Sequence, residues 1–232
     1  MPCEGFTYIR MPTFDPSLLP AEPDLSFELI LWQAGCMTVA GIDEAGRGAL
    51  AGPVTAAAVI LPPTESLMGR LKGVRDSKQM TPHEREIARE RIIQSAITWG
   101  VGFAASEEID QLGIVPATRL AAWRAVESLS PPPAHLLLDY LFLPEVTLSQ
   151  TALIKGDCRS LSIAAASILA KTARDALMRE LDLTYPGYGF AAHKGYGTRV
   201  HREALKQLGP CPVHRLSFAL FGESKPSLDG NQ

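Results

Sequence analysis

The spacing of apolar and polar positions changes several times along the chain. "TVAGID" and "VTAAAVIL" are short runs of small and β-branched residues, read as two strands joined by a Gly-rich turn. Upstream, "LSFELILWQAG" predicts a short helix closing at Gly35. "LPPTESLMGRLKGVRDSKQM" reads as a loop with a cluster of bases. Thr81, Pro82 and Glu84 supply a capping hydroxyl, a proline at the first helical position and an acid at the third. They open a helix over "PHEREIARERIIQSA", and "ITWGVGFAA" reads as the next strand. Ser106 is placed to cap "EEIDQLGI", with the helical pattern resuming after Pro116 in "ATRLAAWRAVESL". "AHLLLDYLFL" reads as a buried strand between prolines and "TALIKGD" as another. Leu161, Ala165, Ile168, Leu169, Thr172, Ala176 and Leu177 recur at helical spacing and predict one long helix. Thr198 is placed to cap "RVHREALKQL", which Gly209 stops.

The order strand, strand, helix, strand, helix, strand, strand, helix, helix predicts an α/β fold, a mixed sheet flanked by helices. No internal repeat is visible. Residues 1–24 are Pro-rich and read as a loose extension. Residues 25–185 form the main body, 186–222 a small helical appendage and 223–232 a flexible tail.

The longest clean apolar run is the eight residues Val54–Leu61. A bilayer span needs roughly 20, so no membrane partner is expected. The first residues show an early acid and prolines in place of a signal-peptide apolar core. Cys3, Cys36, Cys158 and Cys211 are scattered, without a C-x-x-C pair. That pattern predicts free thiols and a reducing cytoplasm rather than a disulfide framework or a zinc site. A net charge of −3 argues against a nucleic-acid partner, but the distribution argues for one. Residues 186–222 hold five bases (Lys194, Arg199, Arg202, Lys206, Arg215) and one acid, Glu203. This segment is a candidate cationic surface for phosphates.

Four acids sit at strand ends or inside apolar sequence: Asp43, Glu44, Asp139 and Asp157. A carboxylate in such a place is costly unless it is paired or metal-bound. Asp139, in "HLLLDYLFL", has no neighbouring base. Asp43 and Glu44 are adjacent, so in a regular strand they point to opposite faces. They converge only if the strand ends there, as Gly46 and Gly48 permit. Asp157 has the plainer alternative of an acid beginning the next helix. Strand ends of an α/β sheet can meet at one edge. Oxygen ligands without a His or Cys cluster favour Mg²⁺ or Mn²⁺. Two such ions can activate a water and stabilise the leaving oxygen of a phosphodiester. Asp110 and Glu127 lie in amphipathic helices and read as solvated, and Asp175 reads as paired with Lys171 or Arg179. No G-x-x-x-x-G-K-[ST] occurs, which excludes a P-loop NTPase.

"GIDEAGRGALAGPV", "DSK" (Asp76–Lys78), "KGD" (Lys155–Asp157), "AAASILAKTARD" and "YGFAAHKGYGT" together resemble ribonuclease HII, the bacterial type 2 ribonuclease H. The resemblance spans about residues 38–218. It implies a ribonuclease H-like fold with a C-terminal helical extension that binds substrate. It also implies cleavage of the RNA strand of RNA–DNA hybrids, incision at single ribonucleotides in duplex DNA, and dependence on Mg²⁺ or Mn²⁺. The family's metal-binding acids fall on Asp43, Glu44, Asp139 and Asp157. Its glycine-arginine-glycine falls on Gly46, Arg47 and Gly48, whose backbone would read the 2′-hydroxyl that marks RNA. Its sugar-stacking tyrosine falls on Tyr196, and Lys78 matches a phosphate-contacting position. Hydrolysis 5′ of the ribonucleotide, leaving 3′-hydroxyl and 5′-phosphate ends, is the expected reaction, with the protein acting as a cytoplasmic monomer. A sliding clamp is a further candidate partner, although "FGESKPSLDGNQ" carries no motif that identifies one. A non-catalytic hybrid-binding protein and a small-molecule phosphohydrolase are the competing readings.

Overall fold

The computed structural model describes residues 19–221. Five strands form one mixed sheet: β1 Val39–Ala45, β2 Val54–Ile60, β3 Thr98–Ala104, β4 His135–Asp139 and β5 Ser149–Leu153. Their order is β3-β2-β1-β4-β5. β1, β2 and β3 pair antiparallel, while β4 joins β1, and β5 joins β4, in parallel.

The helices are α1 Ser26–Gln33, α2 Leu67–Arg70, α3 Pro82–Ser95, α4 Ser106–Leu112, α5 Ile114–Glu127, α6 Leu161–Thr184, α7 Phe190–His193 and α8 Arg199–Leu208. α6 covers β1 and β2 on one face, and α5 covers β2 and β3 on the other. Each face therefore has its own core. Val39, Ala57, Val59 and Leu137 pack towards α6, while Ala40, Ile42, Ala58, Ile60 and Leu138 pack towards α5. This alternation is the period-2 signature of a sheet buried on both sides.

Local chemistry sets most boundaries. Thr81 Oγ1 accepts from Glu84 N while Glu84 Oε2 accepts from Thr81 N, so the expected capping box starts α3. Ser160 Oγ accepts from Ile163 N to start α6, and Thr198 Oγ1 accepts from His201 N to start α8. Ser106 departs from expectation. It lies inside α4, and Ala105 is the cap, its N–H donating to Glu108 Oε2 at 2.8 Å. β4 is also shorter than its apolar run, ending at Asp139. Leu141 and Leu143 are buried but leave the ladder, so the run records burial and not pairing.

The appendage carries α7, α8 and a third apolar cluster. In that cluster Tyr188, Phe190, Leu205 and Leu220 pack on Met178 of α6 and on Leu50 and Ala51. No helix among the described residues is long and apolar enough to cross a membrane. Cys158 and Cys211 are free thiols, but Cys36 is disulfide-bonded. The free-thiol expectation fails at Cys36 because separation along the chain does not restrict pairing in space.

Gly41 sets how closely α6 approaches the sheet. A Cβ there would lie 2.2 Å from Ser162 C and 2.5 Å from Ile163 N, both backbone atoms. Gly41→Ala is expected to push α6 off β1 and lower unfolding free energy by about 3 kcal/mol or more, measured by urea denaturation.

Candidate metal centre and nucleic-acid face

β1 and β4 run parallel, with Ile42 beside Leu138, so Asp43 and Asp139 follow at adjoining strand ends. Asp157 arrives from the turn after β5, a 3-10 turn over Gly156–Cys158. Gly156 N donates to Asp139 Oδ1 at 2.7 Å and ties that turn to the end of β4. Asp43, Asp139 and Asp157 each present a carboxylate oxygen within 4.8 Å of the others. Asp157 does not begin α6, which Ser160 caps three residues later.

Like charges so close raise one another's pKa, and burial adds to it. Burial, then the charges of Glu44 and Asp139, pushes the Asp43 carboxyl well above its ordinary value. Burial, then Asp157, pushes Asp139 up to about 6. Burial, then Asp76, raises Asp157. Asp43 Oδ1 accepts from Glu44 N at 2.7 Å, but its buried Oδ2 has no partner among the described residues.

Glu44 stands outside this trio. β1 ends at Ala45, one residue beyond Glu44 and directly before Gly46, and its pairing with β4 stops already at Ile42. Glu44 Oε1 lies 3.2 Å from Arg47 Nη1, while its charge still acts on Asp43 and Asp139. Burial raises its pKa and Arg47 opposes the rise.

The glycine turn after β1 is held from beneath by two arginines, Arg174 of α6 and Arg215, both fully buried. Arg215 donates to the carbonyls of Gly46, Arg47 and Gly52 at 2.8–3.0 Å. Arg174 donates to those of Ala51, Pro53 and Lys194 at 2.9–3.1 Å. Gly46 has φ +90°, and a Cβ there would lie 2.0 Å from Arg174 Nε. A Cβ on Gly48 would meet nothing within 4 Å, so its backbone faces open space.

Tyr196 lies beside this turn. It pairs with Ala49 in an antiparallel bridge, and the Arg174 guanidinium sits 5.5 Å from its ring centroid. A chain of neutral imidazoles holds its carbonyl. Cys211 N donates to His214 Nδ1, which leaves His214 Nε2 to donate to His201 Nε2 at 3.0 Å. His201 Nδ1 then donates to the Tyr196 carbonyl at 3.0 Å. These tautomers follow from the partners. Burial pushes His201 down to about 4 and lowers His214 as well.

Lys78 projects from a 3-10 turn over Ser77–Gln79, its side chain 75% exposed and its Nζ 3.8 Å from both Asp76 and Asp157. Burial disfavours its charge, but Asp76, Asp43 and Asp157 outweigh that and hold its pKa above the ordinary lysine value. Behind it, Ser77 Oγ and Ser167 Oγ are buried and 2.9 Å apart. Ser167 lies beside Asp43 and favours its charged form, against the larger effect of burial.

Several residues differ from their sequence reading. Of the five C-terminal bases, Arg215 is buried in the glycine turn. Arg202 donates to the carbonyls of Gly197, Ala219 and Leu220, and Lys194 Nζ to that of Ala191. Arg199 pairs with Glu203, which leaves Lys206 without an ion pair among the described residues. A count of charges does not reveal which are spent on carbonyls. Asp110 is partly solvated, as expected of a helix-surface acid, but it also has protein partners. Its carboxylate accepts from Leu216 N, Ser217 N and Ser217 Oγ, fixing the segment that carries Arg215. Asp175 pairs with Lys171 as expected but has Arg85, not Arg179, as its second partner. Asp76 was missed. It groups with Asp157 and Cys158, and its signal is the short polar "DSK" beside a helix cap. Ser77, Ser167 and Arg174 were also missed, the last two as polar residues within the apolar pattern of α6.

The Ribonuclease HII family model matches residues 40–221. The chain is 52% identical over 202 residues to the ribonuclease HII of Dehalococcoides mccartyi, covering 85% of this chain and 93% of that one. It is 55% identical over 198 residues to that of a Synechococcus, covering 85% and 89%. Among solved structures, ribonuclease H2 from Pyrococcus horikoshii superposes with a TM-score of 0.65 at 28% identity, covering 80% of this chain and 95% of that one. Ribonuclease HII from Archaeoglobus fulgidus, solved in complex with PCNA, superposes with a TM-score of 0.67 at 26% identity, covering 83% and 98%. The chain therefore belongs to the ribonuclease HII family, and it is a metal-dependent endonuclease acting on RNA–DNA hybrids.

Proposed function

We propose that this enzyme also incises duplex DNA 5′ of single embedded ribonucleotides, by two-metal-ion hydrolysis that leaves 3′-hydroxyl and 5′-phosphate ends. The observation that carries the metal site is the carboxylate trio, in which Asp43 Oδ2 is buried without a hydrogen-bond partner among the described residues. Three crowded carboxylates with an orphaned oxygen fit a hard dication, Mg²⁺ or Mn²⁺, which removes the repulsion that raises their pKa values. Asp43, Asp139 and Asp157 would hold it, with Glu44 completing the acidic set. Divalent ions held there supply an activated water and a counter-charge for the leaving oxygen.

The chain's own groups do the positioning. The turn Gly46–Arg47–Gly48 supports a reader of the ribose 2′-hydroxyl, because Arg215 fixes the carbonyls of Gly46 and Arg47 and leaves the exposed backbone of Gly48 open to a sugar. Lys78, exposed beside the trio, is placed to bind the phosphate. Tyr196, 38% exposed, would stack on the sugar of the following deoxynucleotide and favour an RNA-to-DNA junction. The appendage from residue 186 bears Tyr196 and serves as a substrate-binding extension, acting through this ring more than through its bases. The reading places the protein in the cytoplasm as a monomer. A sliding clamp is carried as a partner on the strength of the Archaeoglobus fulgidus complex alone. The candidate tail at 223–232 lies outside the described residues, as do residues 1–18 of the N-terminal extension.

Metal and protons should compete at the trio. A carboxyl whose folded pKa is raised to about 6 from 3.8 destabilises the fold once ionised. The metal-free protein should therefore lose that contribution as pH rises from about 4 to about 6. Mg²⁺ or Mn²⁺ is expected to raise the thermal midpoint more at pH 7 than at pH 5, as read by calorimetry with and without EDTA. Asp43→Asn should abolish cleavage of a duplex with one ribonucleotide while leaving its Kd largely unchanged. Cutting at the wild-type rate in Mg²⁺ would refute the metal assignment. Tyr196→Ala should slow single-ribonucleotide incision roughly 10–100-fold, the equivalent of one lost stacking contact, and slow uniform hybrids less. Equal loss on both substrates would remove the junction-reading role.

A further inference from the structure

Three non-glycine residues among those described have positive φ: Tyr140 (+54°), Lys155 (+57°) and Lys194 (+53°). Left-handed backbone is uncommon for side chains of this size and persists only where the surroundings over-determine it. Each stands within two residues of a site residue. Lys194 lies two residues before Tyr196. The other two flank the carboxylates, Tyr140 directly after Asp139 and Lys155 two residues before Asp157.

Hydrogen bonds fix both turns. Tyr140 N donates to the Leu153 carbonyl at 2.8 Å, Leu141 N to the Asp139 carbonyl at 2.6 Å, and Gly156 N to Asp139 Oδ1 at 2.7 Å. The strain is not explained by packing. Tyr140 is 71% exposed, and Lys155 is exposed and makes no ion pair among the described residues. β4 and β5 are parallel neighbours with Asp139 beside Leu153, so Tyr140 and Lys155 lie at the same sheet edge. The sheet order places that edge across the trio from the glycine turn, which follows β1. A duplex seated on the glycine turn and Tyr196 would cross the carboxylates and reach Tyr140 and Lys155 next.

We infer that Tyr140 and Lys155 form a second nucleic-acid subsite on the β4–β5 side of the metal centre. The ring stacks on a nucleoside and the ammonium binds a backbone phosphate. Resting on the proposed seating of the duplex, this subsite extends the substrate track beyond the cut. An aromatic face is sequence-tolerant and the cation reads only charge, so the subsite adds affinity without base preference.

The test measures Kd for a labelled RNA–DNA hybrid by fluorescence anisotropy, with Ca²⁺ in place of Mg²⁺, and the thermal midpoint of each variant. Tyr140→Gly suits the left-handed backbone, so its midpoint should equal or exceed wild type while Kd rises about tenfold, the scale of one lost stacking contact. Tyr140→Phe should restore wild-type affinity. Lys155→Gln should reduce the slope of log Kd against log salt by about 0.9, one phosphate contact. Tyr140→Gly and Lys155→Gln binding as wild type, with the wild-type salt slope, would overturn the subsite. Cleavage assays on the wild-type chain, using the hybrid and a duplex with one ribonucleotide, test the proposed function separately. A wild type that cuts both while the variants bind normally sinks only the subsite.

Discussion

Two buried guanidinium groups, with no carboxylate partner among the described residues, hold the glycine turn and the loop before Tyr196 together. Burial pushes Arg215 down to about 9, with the neighbouring Arg174 charge adding to the effect, so it remains a cation at neutral pH. Removing a cation from water costs several kcal/mol, while a hydrogen bond to a charged group contributes roughly 1.5–3 kcal/mol. Three carbonyls for each arginine are enough to offset that loss. The carbonyls come from the turn after β1 and from the loop before Tyr196. Saturating the arginines thus requires both loops to be in place, and the exposed backbone of Gly48 inherits that rigidity.

The opposite electrostatic situation exists a few residues away. Asp43, Asp139 and Asp157 are crowded and under-compensated, and the exposed Lys78 ammonium lies 3.8 Å from Asp157. Where the arginine site is closed and satisfied, the carboxylate site is left unsatisfied, as expected of a site built to receive a cation. The Ser77–Ser167 contact links the lysine turn to the helix behind Asp43, so Lys78 and the carboxylates share one buried support. Stability is concentrated behind the site and tension at its mouth.

Most of the scaffold was legible in the residues. Caps at Thr81 and Thr198 and the stop at Gly209 mark helix ends by local chemistry, which needs no tertiary context. The acids of the trio were legible because charge inside apolar strands must be compensated. What failed depended on contacts distant in sequence. Arg215, Arg202 and Asp110 look like surface charges until the fold brings carbonyls and amides to them. Leu141 and Leu143 extended an apparent strand because loop residues can fill a core as well as ladder residues do.

The fit between Gly46 and Arg174 makes the two positions inseparable. Any side chain at Gly46 would occupy the volume of the guanidinium. Evicting Arg174 would strand the carbonyls of Ala51, Pro53 and Lys194 in the interior at once. A change of a single atom on one ledge would therefore be felt as slack in the tyrosine loop opposite. Sequence drift can alter this corner of the molecule only by replacing both partners together.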